Sequence, residues 1–189
     1  MTVQDVIDLP RAYRLRVADY RLLDESGAFD GLAKTELIEG VIVAVNAQYT
    51  AHARVQKHLY RSLDLACSAA GTGLEAWFEV SIALGPDTLP QPDIVVARNA
   101  PENAAIPGER VALVVEIADT TAKFDLGAKA RLYASAGIPE YWVADVNART
   151  IHQMWNPDGE AYAKRREIAF GEPVGAMSIE GLSVATTSL

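Results

Sequence analysis

Apolar positions along the chain switch between the helical and the strand period, and the switches outline most of the elements. Thr2 and Asp5 stand at capping-box-like spacing, and Val17, Tyr20 and Leu23 recur at helical intervals until Ser26-Gly27, which predicts helical packing within residues 2–30. Glu36 to Val45 (ELIEGVIVAV) is rich in β-branched residues and predicts a strand, with Gly40 as a bulge or a close backbone approach. From Ala51 to Ala70, Val55, Leu59, Leu63 and Cys67 fall four apart on one stripe, Arg54, Lys57, Arg61 and Asp64 lie off it, and Gly71 is the stop.

Leu74, Ala76, Phe78, Val80, Ile82 and Leu84 keep the period of one half-buried strand, ended by Gly85-Pro86-Asp87. Ile94 to Ala97 follows Pro90-Gln91-Pro92-Asp93, so Asp93 is expected at a strand entry or edge. Residues 98–110 read as an irregular loop. Val111 to Ile117 (VALVVEI) is apolar except for Glu116, the pattern of a central strand buried on both faces. Phe124 to Ala136 predicts a helix closed by Gly137 and Pro139, and Tyr141 to Val146 a further strand. Asn147-Ala148 and Asn156-Pro157-Asp158-Gly159 predict the turns of a β-meander. From residue 51 the order is helix, three strands, helix, strand, and a small antiparallel extension.

Half of the 189 residues are apolar, enough for one packed domain. With no linker in view, the expected organisation is a helical region over 1–35, a core over 36–146 and a β extension over 147–189. The net charge of −8, with −4 in each half, argues against a broad basic footprint on nucleic acid but leaves room for a local basic patch. Cys67 is the only cysteine, which excludes an internal disulfide and a cysteine-based zinc cluster and fits a reducing compartment. Without a leader-like start or a long apolar run, a cytoplasmic protein with no membrane partner is expected. Signatures of triphosphate, dinucleotide and serine-hydrolase sites are missing.

A carboxylate within a buried strand costs several kcal/mol unless it is paired, hydrogen-bonded or metal-bound, which makes Glu116 the most informative residue. Alone, Glu116 could simply be salt-bridged to a neighbour, and Asp93 could be ordinary Pro-Asp turn chemistry. Together, and with a third acid from Glu36 or Glu39, they could supply the hard oxygen ligands that Mg²⁺ takes, leaving positions for water and a phosphate. Asp125, Lys129 and Tyr133 share one helix face. Asp125 and Lys129 by themselves would make a surface pair; a catalytic lysine needs that face to point at the acids. The three histidines form no metal motif. His52, in the first turn of its helix, could contact a phosphate or a site carboxylate, although a solvated or capping place is the simpler expectation.

These residues resemble the Uma family of restriction endonucleases, within the PD-(D/E)XK nuclease superfamily. The resemblance runs from about Arg16 to the final meander. It rests on the ordered set Glu36-Leu37-Ile38-Glu39-Gly40, His52 opening a helix, Pro92-Asp93-Ile94-Val95-Val96, Val115-Glu116-Ile117, Asp125 with Lys129 and Tyr133, and Gly137-Ile138-Pro139-Glu140-Tyr141-Trp142-Val143. It implies an α/β (α+β) fold with a restriction-endonuclease-like αβββαβ core, a mixed sheet flanked by helices. It also implies a divalent-metal site in which Asp93, Glu116 and Glu36 bind Mg²⁺ or Mn²⁺, with Lys129 as the catalytic lysine and His52 as an accessory. The superfamily's usual lysine position, two beyond the second acid, holds Ala118, and Asp119-Thr120-Thr121 stands where the family reads Ser-Pro-Ser. Asp119 would be a ligand or would disturb phosphate approach.

The implied activity is Mg-dependent endonucleolytic hydrolysis of DNA, and symmetric duplex cutting would call for a homodimer. Two other readings stay open. One is a catalytically inactive nuclease-fold scaffold or binding protein, which the acidic charge favours; the other is a hydrolase of a smaller phosphorylated substrate.

Overall fold

A computed structural model of the chain describes residues 13–45 and 49–189. The Thr2 and Asp5 spacing lies outside the described residues. Helix α1 (Val17–Glu25) buries Tyr20, whose hydroxyl donates to the Thr35 carbonyl at 2.9 Å. The segment expected as one strand is instead a hairpin of β1 (Lys34–Ile38) and β2 (Val41–Val45). Glu39 and Gly40 form its two-residue turn with φ of 48° and 74°, the doubly positive pattern of a primed hairpin turn. Glutamate is an unusual first residue for that turn, which is why the sequence reads as a bulge. The close approach at Gly40 is present, since a Cβ there would lie 2.5 Å from the Arg14 Cβ.

Helix α2 (Thr50–Ala70) buries Val55, Leu59, Leu63 and Cys67 as their spacing predicts, and Gly71 ends it in the left-handed conformation. The strand expected over 74–84 breaks in two at Glu79, where φ is 52°. Its first half, β3 (Glu75–Phe78), joins the main sheet, whereas β4 (Ile82–Ala83) pairs in parallel with β6 (Ile106–Pro107) from within the expected loop. Between them lies β5 (Ile94–Ala97), buried throughout. Central strand β7 (Val111–Ala118) follows, then helix α3 over 122–135. This helix is α-helical at Ala122–Phe124 and Ala130–Ser135 and π-helical over Asp125–Lys129.

Strand β8 (Glu140–Asp145) leads into the long hairpin of β9 (Thr150–Asp158) and β10 (Ala161–Ala169). Its turn lies at Gly159-Glu160 rather than across Asn156 to Gly159, because β9 continues through Asn156 and Pro157 to Asp158. A short pair, β11 (Val174–Gly175) and β12 (Ser183–Val184), completes the chain.

The main sheet has the order β10-β9-β8-β7-β5-β3, antiparallel throughout except for the parallel pair β7–β8 bridged by α3. The mixed α/β architecture and αβββαβ order therefore agree with the sequence. The two-residue strand period sorts each strand between two cores. Ile94, Val96, Leu113, Val115, Ile117, Trp142 and Ala144 pack with the α2 stripe. Val95, Ala97, Val114, Ala118, Tyr141 and Val143 pack with Ala130 and Tyr133 of α3. Glu116 shares the parity of Val114 and Ala118 and so faces α3. Tyr141 and Trp142 are fully buried core residues. Among the described residues no helix is long and apolar enough to cross a membrane.

Candidate active site

Three strand segments and two helices converge at the end of β7. Asp93 immediately precedes Ile94, which pairs with Val115, so Asp93 stands beside Glu116 one step further along. The Ile117 amide donates to Asp93 Oδ2 at 2.7 Å, tying the two strands together at the acid. Glu36 arrives from β1, and His52 from the first turn of α2. These four residues, Lys129 and Asp125 line one cavity of about 440 Å³ with Lys34, Asp119 and Thr121.

Lys129 Nζ lies 2.8 Å from Glu116 Oε1 and within 3.2 Å of Glu36 Oε1 and 3.1 Å of Oε2. Among the described residues Glu36 Oε2 accepts no aligned hydrogen bond despite that proximity, and it is fully buried. The Tyr133 hydroxyl also donates to Glu116 Oε1, at 2.8 Å. His52 Nε2 lies 3.2 Å from Asp93 Oδ2; because the carboxylate only accepts, Nε2 carries the proton, and among the described residues the buried Nδ1 has no hydrogen-bond partner. His52 is thus neither solvated nor a cap, contrary to the simpler expectation.

The two candidate third acids lie in different surroundings. Glu36 is fully buried in the cavity, whereas Glu39, at the hairpin turn, is half exposed and ion-paired with Arg131 at 3.1 Å. Asp125 is buried rather than superficial, and among the described residues it forms no ion pair with Lys129; the Thr121 hydroxyl donates to Asp125 Oδ2 at 2.5 Å. Asp119 accepts from the Asn147 side chain at 3.3 Å on Oδ1. Helical spacing puts Asp125 and Tyr133 on the lysine's face but assigns them no place in the site, because spacing does not say whether a face points inward.

The π turn contributes to this arrangement. Its i→i+5 bond runs from the Ala130 amide to the Asp125 carbonyl, which also accepts from the Tyr141 hydroxyl at 3.0 Å. Burial pushes the Glu116 carboxyl up to about 8 despite the opposing pull of Lys129, with Asp93, Asp125 and Glu36 adding repulsion. Asp125 is likewise raised by burial, to about 6, against the lowering effects of Thr121 and Lys129. Burial also opposes the charge on Lys129, but Glu116 and Glu36 outweigh it and hold its proton well above the ordinary lysine range. The ammonium therefore stays charged beside its carboxyl partners. Burial would raise Asp93, yet the His52 hydrogen bond and charge and the Ile117 amide bring it below the usual carboxylate value.

Glu36, Asp93 and Glu116 are a set of hard oxygen donors, the chemistry that Mg²⁺ or Mn²⁺ prefers. In the metal-free protein the buried Oε2 of Glu36 has the Lys129 ammonium at 3.1 Å as its cation. Among the described residues no three His, Cys, Asp or Glu groups are clustered closely enough to hold a metal as they stand. Lys129 draws Glu36 and Glu116 onto itself, so loading would require its ammonium to yield carboxylate oxygens.

The family model described as "Uma2: Putative restriction endonuclease" matches residues 17–187. No curated protein matches the chain. One solved structure, described as the crystal structure of "a putative nuclease belonging to DUF820" from Anabaena variabilis ATCC 29413, is similar in fold. It has a TM-score of 0.64 over 100% of this chain and 96% of that one, at 16% identity. With the family match spanning both helices, the central strand and the C-terminal hairpins that build the site, the chain belongs to the Uma2 family.

Proposed function

We propose that this protein is a Mg²⁺- or Mn²⁺-dependent endonuclease that hydrolyses DNA phosphodiester bonds. The observation that carries the reading is the buried Lys129 ammonium between Glu36 and Glu116, in a cavity shared with Asp93. Glu36, Asp93 and Glu116 are the residues that would hold the metal. When bound, it would polarise a phosphate oxygen and acidify a water molecule.

The chain's own groups have separable parts. His52 and the Ile117 amide hold the Asp93 carboxylate in place, and Tyr133 holds Glu116 by one oxygen. Lys129, kept protonated by its carboxylate partners, acts as a cationic donor that orients water or offsets charge on the phosphoryl oxygens, not as a base. Family membership supports a nuclease, and the ordered acids with a lysine support the metal-dependent route.

The test is incubation of the purified protein with supercoiled plasmid in Mg²⁺ or Mn²⁺, beside Glu116→Ala prepared identically. Nicking by the wild type alone supports the reading. Equal nicking by both proteins overturns it. A second reading, a retired site in a scaffold protein, is favoured by one observation: Lys129 already neutralises two acids without metal. Saturable Mn²⁺ binding that disappears in Glu116→Ala would count against the scaffold.

A further inference from the structure

We infer that Lys34 is the side chain that takes the substrate's phosphate as it enters the cavity, donating to a non-bridging phosphodiester oxygen. This rests on the nuclease reading above and supplies a substrate contact that the reading lacks. Lys34 opens β1, and the two-residue period of a strand turns it to the same face as Glu36. Its partner across the hairpin is Val45, and both line the cavity with Glu36 and Asp93.

Among the described residues two lysines line this cavity, and no arginine does. Their surroundings differ. Lys129 is held 2.8 Å from Glu116 and 3.1 Å from Glu36, with a side chain only 5% exposed, so its donors are committed to carboxylates. Lys34 Nζ lies 3.7 Å from Glu36 Oε1, close enough for attraction but too far for a hydrogen bond, and its side chain is 17% exposed. Among the described residues its ammonium donates no hydrogen bond, which leaves three N–H groups open to an incoming acceptor.

The charge of the cavity calls for such a contact. Glu36, Asp93, Glu116, Asp119 and Asp125 all line it, and a phosphodiester that approaches them brings a further negative charge. Lys129 offsets the two glutamates that it touches. Lys34 flanks Glu36 and acts on Asp93 as well: burial raises that carboxyl, and Lys34 follows His52 and the Ile117 amide among the groups that bring it down. A cation on the more open side of these acids is placed to meet a phosphate before the buried carboxylates repel it. A role confined to screening Glu36 would appear in metal affinity instead of in phosphate contact, and the two are separable.

Fluorescence anisotropy of a labelled DNA duplex in Mn²⁺, titrated between about 50 and 200 mM salt, tests the inference. The intactness of the duplex is checked on a gel. The proteins are the wild type, Lys34→Gln, Lys34→Arg and a control, Lys57→Gln, whose lysine is exposed on α2 and outside the cavity. One phosphate contact contributes about 0.9 to the slope of log affinity against log salt, so Lys34→Gln should lose that much, while Lys34→Arg and Lys57→Gln keep the wild-type slope. Mn²⁺ affinity measured by calorimetry should hold or rise in Lys34→Gln, because a positive charge has left Glu36. In plasmid nicking the same variant should raise KM and spare kcat. Should Lys34→Gln fold poorly by circular dichroism, Lys34→Ala carries the same expectations. An unchanged slope in Lys34→Gln, an equal loss in Lys57→Gln, or weakened Mn²⁺ binding overturns the inference and leaves the nuclease reading standing. If the wild type binds Mn²⁺ but no duplex, the DNA reading itself fails, and the Lys34 contact with it.

Discussion

The Lys129 ammonium sits 2.8 Å from Oε1 of Glu116, joining a π-helical turn of α3 to the buried central strand. Neither residue is comfortable there alone. A buried ammonium and a buried carboxylate each carry a desolvation cost of several kcal/mol, and only mutual contact with added hydrogen bonds offsets it. Glu36 on one side and Tyr133 on the other supply those additional contacts.

Lys129→Met should therefore destabilise the metal-free protein by about 3–5 kcal/mol, the usual cost of stripping one partner from a buried pair. It should also abolish cleavage. Because the variant frees the carboxylates, Mn²⁺ should raise its melting temperature more than that of the wild type. Equal shifts in the two proteins would remove Lys129 from competition with metal.

Metal binding should strengthen with pH. Burial raises Glu116 to about 8, so below that value a proton competes with the cation, and affinity should rise up to tenfold per pH unit before levelling. Without metal the sign reverses for stability. The raised Glu116 makes the folded state bind more protons between its ordinary value of 4.5 and about 8, so its contribution is full below 4.5 and lost as pH rises through 8. Asp125 adds the same trend between 3.8 and about 6. Calorimetric Mn²⁺ titrations and metal-free melts across this range would check both; a pH-independent affinity would sink the assignment of Glu116 as a ligand.

His52→Ala should weaken metal binding about 10- to 100-fold, as expected when the hydrogen-bond partner of a ligand is removed. The Ile117 amide would still hold Asp93 Oδ2, so the fold should survive. A Mn²⁺ titration beside a thermal melt separates the two effects. Unchanged affinity would reduce His52 to packing.

Glu140 offers an internal contrast. It is fully buried and accepts from Trp142 Nε1 at 2.6 Å, Gln153 Nε2 at 2.5 Å, the Met177 and Ser178 amides and the Ser178 hydroxyl. It does not line the cavity. Glu140→Gln would set a donor against donors and should cost about 1–3 kcal/mol. Hydrogen exchange at Met177 and Ser178 should accelerate while Mn²⁺ affinity holds. A loss of affinity would join this network to the site.

Long periodic signals make several elements legible in the amino-acid sequence: the α2 stripe, the apolar β7 and the order of helices and strands that follows. The breaks at Glu39 and Glu79 are not legible, because both are non-glycine residues with positive φ, and their residue type gives little warning of the turn. Glu36, Asp93, Glu116 and Lys129 stand out as residues. The burial of Glu36 beside a half-exposed Glu39, the burial of Asp125 and the contact of His52 with Asp93 do not.

Information carried along the chain is therefore periodic and local: which segments are helices or strands, which acids sit at costly positions, and which residues share a helix face. Direction and distance come from tertiary packing. The parity of β7 turns Glu116 toward α3, the hairpin turn carries Glu39 out to Arg131 while Glu36 stays inside, and the packing of α3 presents Asp125, Lys129 and Tyr133 to the acids rather than to water. A repeat along the chain encodes which side chains lie together on one face; only the packing of segments far apart in sequence sets what that face meets.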